Sequence, residues 1–193
     1  MKELQLTERQ DKLLGYVRFF HGSQVRKYTG EPYWTHPLAV AKLVRQHANE
    51  YLVFEIALCH DLLEDTECTE VLLLEILISI GYTVFESYNI VKATVELTDV
   101  YTHERFPNLN RQMRKANEAI RLGTVSDIAQ NVKFADLIDN TISIVRHDKG
   151  FAKVYLKEKE RVLTHMHGGN AMLRTMCQLS LKDSIQQLNS EGK

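Results

Sequence analysis

Apolar residues recur along nearly the whole chain with a helical rather than an alternating period. Thr7 is placed to cap a helix in which Leu13, Leu14, Val17 and Phe20 share one face, and Gly22 ends it. Residues 23–35 hold Gly30 and Pro32 and read as a loop. Pro37 then opens a helix through Leu38, Val40, Ala41 and Val44, because a first-turn proline has no N–H that the helix would use. Residues 52–63 are apolar almost all round, the pattern of a buried helix. Further helices are predicted over 69–80, stopped by Gly81, and over 84–97. The period lapses over 98–110, which reads as a long loop or partly ordered lid. Helices resume over 111–122 and 125–145, divided by Gly123, and over 151–167 and 170–188, divided by Gly168-Gly169. With no repeat, linker or shift in composition, the pattern predicts one all-α domain, a helical bundle spanning 1–193.

Composition narrows the class. The chain has 193 residues, 44% of them apolar and 25% charged, enough for a sizeable core without disulfides or a structural metal. Its 24 basic and 25 acidic side chains leave a formal charge of −1, which argues against a general nucleic-acid binder. Cys59, Cys68 and Cys177 form no CxxC pair and read as free thiols of a reducing cytosol. The N-terminus is too charged for a secretory signal, and the apolar stretch 71–80 is too short to span a bilayer. These features predict a cytoplasmic protein with no membrane partner. No GxxxxGK[ST] or GxGxxG occurs, so the common triphosphate and dinucleotide cradles are absent.

Three polar sets interrupt this apolar framework. His60, Asp61, Glu64 and Asp65 extend the run 52–59 and, at about 100° per residue, lie within an arc of roughly 140°. Three carboxylates beside an imidazole repel one another and lose hydration when buried, so a divalent cation is the simplest compensation. Over residues 131–144, Val132, Phe134, Ala135, Leu137, Ile138 and Ile142 define a buried helix. Lys133, Asp136, Asn140 and Ser143 form one polar stripe on it, facing outward as a cleft wall would. His36 precedes Pro37 at a helix start. Together with His60, Asp61 and Asp136 it makes a two-imidazole, two-carboxylate donor set, suited to Mn²⁺, Fe²⁺ or Zn²⁺ rather than to a thiolate site.

The order His36 … His60-Asp61 … Asp136 resembles the signature of HD-domain phosphohydrolases. The blocks His21-Gly22-Ser23-Gln24-Val25-Arg26-Lys27, Gly30-Glu31-Pro32-Tyr33 and His36-Pro37-Leu38-Ala39-Val40-Ala41 are similar to the opening of the hydrolase domain of the RelA/SpoT family. Ala57-Leu58-Cys59-His60-Asp61-Leu62-Leu63-Glu64-Asp65-Thr66 and Val132-Lys133-Phe134-Ala135-Asp136-Leu137-Ile138-Asp139-Asn140 resemble its next two blocks. The likeness covers most of the chain and implies a small alarmone hydrolase that removes the 3′-pyrophosphate of ppGpp or pppGpp. It implies one Mn²⁺ on His36, His60, Asp61 and Asp136, which would acidify a water and polarise the phosphate. Glu64 and Asp65 would then be the base and positioning group, with Arg26, Lys27, Lys133, Asn140 and Ser143 on the nucleotide.

Arg111, Arg114 and Lys115 are either a clamp for the 5′-phosphates or ordinary solvated helix charges. Tyr28, Thr29 and Tyr33 either shape the base pocket or simply pack. Leu137-Ile138-Asp139 departs from the Arg-Leu-His common in long relatives, which leaves adenine alarmones and NADPH open as substrates. Another HD phosphohydrolase, such as a nucleoside 5′-monophosphatase, and a catalytically silent nucleotide sensor are the competing readings.

Overall fold

The computed structural model describes residues 5–190. Among them every regular element is a helix, and the only β-pairing is an isolated bridge between Val25 and Pro32. The all-α expectation therefore holds. The chain forms two compact units, the first ending at Thr98 and the second beginning at Asp99.

The first unit contains α1 (Glu8–His21), α2 (Thr35–His47), α3 (Val53–Cys59), α4 (Leu62–Asp65), α5 (Glu70–Ser79) and α6 (Val84–Leu97). Thr7 caps α1 as predicted, in a reciprocal capping box with Gln10; Thr83 and Glu86 do the same for α6. All seven residues of α3 are buried, and the helix packs against α1, α2 and α6. The buried residues of those helices include Leu13 and Val17 of α1, Val40 and Val44 of α2, and Ile90 of α6.

Two details differ from the periodicity. The helix predicted over 52–63 is broken at His60-Asp61 into α3 and α4. In an unbroken helix the Ala57 carbonyl would accept the Asp61 N–H; here the Nδ1–H of the His60 ring donates to it at 2.8 Å. The break therefore lies at the two residues of greatest chemical interest. At the end of α1, His21 rather than Phe20 is the fully buried residue.

The second unit contains α7 (Arg111–Leu122), α8 (Asp127–His147), α9 (Lys149–His165) and α10 (Ala171–Ser190). The segment 98–110 has no regular element, as the pattern predicts. Helix α8 packs on α9 and α10, and α7 packs on α9. Gly169, at φ +74, turns the chain between α9 and α10, and a Cβ there would stand 2.6 Å from Asn131 Oδ1. That oxygen accepts the Asn170 N–H, so the turn is pinned to α8.

Ile142, expected in the core, is 64% exposed, and Thr141 is buried in its place. The Thr141 hydroxyl donates to the Leu137 carbonyl at 2.5 Å and accepts from the buried Lys159 Nζ at 2.9 Å, which satisfies both of its polar functions. Cys59, Cys68 and Cys177 are free and buried.

Candidate functional site

His36 enters the first unit's core from the first turn of α2, and His60 and Asp61 occupy the break between α3 and α4. Both imidazoles are at least 97% buried, and their ring centres are 5.3 Å apart. Asp61 lies between them. Its Oδ1 is 3.2 Å from His60 Nε2, and its Oδ2 is 3.6 Å from His36 Nε2. Because His60 spends its Nδ1–H on Ala57, its neutral tautomer presents the Nε2 lone pair to a carboxylate oxygen. Two acceptors that face each other at this distance need a cation or a proton between them. Two imidazole nitrogens and a carboxylate make a mixed N/O donor set that fits a divalent transition ion, and the absence of any sulfur disfavours a thiolate site.

Asp65 stands one turn beyond Asp61. The Tyr33 hydroxyl lies 2.9 Å from Asp61 Oδ2 and 3.0 Å from Asp65 Oδ2. Partial loss of hydration, together with the charge of Asp61, raises the Asp65 carboxyl above its ordinary value, while Tyr33, His21 and His60 pull it down. No lysine or arginine pairs with Asp61 or Asp65 among the described residues. Glu64 is exposed at the same end of α4. Arg26 and Lys27 sit on the preceding loop, where the Arg26 N–H donates to the Glu31 carbonyl and Gly30, at φ +71, closes the turn. The Lys27 ammonium covers the Tyr28 ring at 4.8 Å.

In the second unit the polar stripe of α8 proves to be more buried than periodicity suggests. Asp136 is 4% exposed, and Lys133, Asn140 and Ser143 are half-buried. Asn140 Nδ2 donates to Asp136 Oδ1 at 2.6 Å, and Lys133 Nζ lies 2.8 Å from Asp136 Oδ2. Lys133, Asp136 and Asn140 line a cavity of about 130 Å³ with Lys115, Tyr155 and Lys159; Ser143 does not.

Asp99, at the rim, pairs with Lys115 at 2.5 Å. Burial would raise its carboxyl, but Lys133 and Lys115 outweigh that and hold it below the ordinary value. Burial and the charge of Asp136 keep the Tyr155 phenol far above its usual range, so it remains a donor. Of the three cations whose role the sequence left open, only Lys115 lines this cavity. Arg111 forms a two-pronged pair with Glu158 at 2.8 and 2.9 Å, and Arg114 donates to the Leu109 carbonyl.

Sequence reasoning missed His21, Gln24, Tyr155 and Lys159. Lys159 is 1% exposed and Tyr155 half-buried, yet both fall on the ordinary polar and apolar positions of α9 and carry no sequence signal. Tyr33, left open between a base-pocket and a packing role, has its ring against His21 and His36 and its hydroxyl on two carboxylates.

The fold is all-α, and the donor set of its first unit is one that a divalent ion fits. The fold matches the solved structure of a metazoan ortholog of SpoT, described as hydrolysing ppGpp and acting in starvation responses. The TM-score is 0.75 and the identity 22%, over 96% of this chain and 98% of that one. In sequence the chain is similar to a Mycoplasma pneumoniae protein named "Probable guanosine-3′,5′-bis(diphosphate) 3′-pyrophosphohydrolase", at 27% identity over 179 residues and 88% of this chain. A Haemophilus influenzae guanosine-3′,5′-bis(diphosphate) 3′-pyrophosphohydrolase is 46% identical over 54 residues, 28% of this chain. A Brucella ovis GTP pyrophosphokinase rsh is 41% identical over 59 residues, 31% of this chain. The matched regions span 22% of the Mycoplasma protein and 8% of each of the other two. No protein-family model matches the chain. No helix among the described residues is long and apolar enough to cross a membrane.

Proposed function

We propose that this chain hydrolyses the 3′-pyrophosphate of guanosine alarmones, converting ppGpp to GDP and pppGpp to GTP with release of pyrophosphate. The observation that carries the reading is the convergence of two buried imidazoles on Asp61, with Asp65 held on the same tyrosine hydroxyl. That arrangement places a cation-binding set beside a carboxylate able to accept a proton. The likeness to proteins named as pyrophosphohydrolases supports it.

In this reading His36, His60, Asp61 and Asp136 hold one divalent cation, Mn²⁺ by preference. When bound, such an ion lowers the pKa of a water and polarises the phosphate on the 3′ oxygen. The remaining steps belong to the protein's own groups. Asp65 and Glu64 take the proton of the attacking water and orient it. Water adds to the phosphorus next to the ribose, the bond from that phosphorus to the 3′ oxygen breaks, the 3′ oxygen takes up the proton that the acidic pair removed from the water, and pyrophosphate departs. Arg26 offers a planar cation for the purine face, with Lys27 beside it for phosphate. Lys133, Asn140 and Ser143 hold ribose and phosphate from α8. Both units thus serve one hydrolase domain spanning 1–193, acting in the cytoplasm on a small-molecule nucleotide and not on nucleic acid.

The test is a panel of ppGpp, pppGpp, ppApp, NADPH and deoxynucleoside monophosphates, each with added Mn²⁺, with pyrophosphate and orthophosphate measured separately. Pyrophosphate release from the guanosine alarmones, with a nucleoside 5′-di- or triphosphate as the other product, is expected. Orthophosphate from the monophosphates would identify a 5′-nucleotidase, and binding without turnover would identify a sensor.

A further inference from the structure

The Tyr33 hydroxyl is within hydrogen-bond distance of two carboxylates but has one proton to donate. Its position is set from several sides. The ring packs 4.8 Å from the His21 ring and 5.8 Å from the His36 ring, and its backbone N–H donates to the Gln24 carbonyl at 2.8 Å. Gln24 in turn reaches the same carboxylate-bearing residue from behind, because its Nε2 donates to the Asp65 backbone carbonyl at 2.7 Å. The Gln24 Oε1 accepts from His21 Nδ1 at 2.9 Å. His21, 1% exposed, therefore supports both arms: the tyrosine through ring contact and the glutamine through a hydrogen bond. Burial and the charges of Asp61 and Asp65 keep the phenol protonated far beyond its ordinary range.

We infer that Tyr33 is a positioning residue for Asp65, its hydroxyl proton going to Asp65 rather than to Asp61 once Asp61 holds a cation, with His21 and Gln24 as the bracket that fixes both. The inference rests on the proposed assignment of Asp61 to the cation and Asp65 to the water. A carboxylate that shares its charge with a bound ion is a weaker acceptor than a free one, so the single proton goes to Asp65. With Oδ2 engaged by Tyr33, rotation of the Asp65 carboxylate is restrained, and Oδ1 is the oxygen left to accept a proton from water.

Tyr33→Phe removes only the hydroxyl and keeps the ring that packs on His21 and His36. The variant is compared with the wild type on whichever nucleotide of the panel the wild type hydrolyses, so a wrong substrate assignment leaves the comparison standing. Mn²⁺ affinity should stay within about threefold and KM within about twofold, while kcat falls by roughly 10- to 100-fold, the scale of a lost supporting hydrogen bond at a metal site. In an Asp65→Ala background the same change should cost less than about twofold, because the acceptor is gone. A readout independent of turnover is the ¹³C shift of the Asp65 carboxyl in zinc-loaded protein, which should move on Tyr33→Phe while that of Asp61 stays in place. Gln24→Leu, which breaks only the clamp on the Asp65 carbonyl, should also lower kcat with the metal retained. A tenfold or greater loss of Mn²⁺ affinity with unchanged kcat at saturating metal, or losses that multiply in the double variant, would overturn the inference. So would a shift confined to the Asp61 carboxyl.

Discussion

Asp61→Asn should change the sign of its effect on stability according to whether a divalent cation is present. The Tyr33 hydroxyl touches both Asp61 and Asp65, so their facing oxygens are no more than about 6 Å apart. At effective dielectric constants between roughly 80 and 20, that repulsion amounts to about 0.7–3 kcal/mol. Asp65 is exposed, which places the effect toward the lower end, on the order of 1 kcal/mol. The asparagine amide would also donate to an imidazole Nε2 where the carboxylate meets a lone pair. In chelator, therefore, Asp61→Asn should melt above the wild type, by about 2–4 °C per kcal/mol for a chain of this length. In Mn²⁺ at roughly 100 times its dissociation constant, the wild type should gain about 2.7 kcal/mol, and a variant that has lost an anionic ligand should gain much less. The two thermal unfolding curves should consequently exchange order between chelator and Mn²⁺. An Asp61→Asn protein that melts below the wild type in both conditions, or that Mn²⁺ stabilises equally, would show that Asp61 serves the fold and not a cation.

Glu64→Gln and Asp65→Asn should each retain stoichiometric Mn²⁺ by elemental analysis while losing roughly 10²-fold or more in turnover. Normal turnover in both would remove the pair from the chemistry. Away from the site, the Tyr51 hydroxyl and the Thr83 backbone N–H hold the Glu86 carboxyl down at about 2, against an ordinary value of 4.5. The stability this confers is fully present above the ordinary value and disappears as pH falls from about 4.5 toward 2. The advantage of wild type over Glu86→Gln in urea unfolding should shrink across that interval, and a difference independent of pH would refute the assignment.

The helical framework was legible because it rests on local chemistry. Thr7, Thr83 and Asn110 are side-chain caps whose effect is complete within one turn, and α6 and α7 begin and end where the pattern places them. The departures arise where a side chain competes with the backbone or meets a distant partner. The His60 ring takes a carbonyl that the helix would have used, and nothing in the periodicity of 52–63 records that. Thr141 is buried in preference to Ile142 because it can donate to Leu137 and accept from Lys159, a residue eighteen positions away. The metal-ligand candidates stood out because charged groups interrupt an apolar run. The link from Tyr33, His21 and Gln24 to Asp65 did not, because an aromatic residue, a helix-terminal histidine and a loop amide break no pattern.

The near-zero net charge conceals a division of labour that bears on the ligand. In the first unit Asp61 and Asp65 gather beside two buried imidazoles, and among the described residues no lysine or arginine pairs with either, an environment that favours a cation. In the second unit Lys115, Lys133 and Lys159 line one small cavity. The first two are matched with Asp99 and Asp136, whereas the Lys159 ammonium meets the hydroxyls of Thr141 and Ser180. Cys177 and the charge of Asp136 compensate this buried ammonium only in part, and burial outweighs them and lowers its pKa. A ligand that brings negative charge would relieve it, just as a divalent ion would relieve the acidic set.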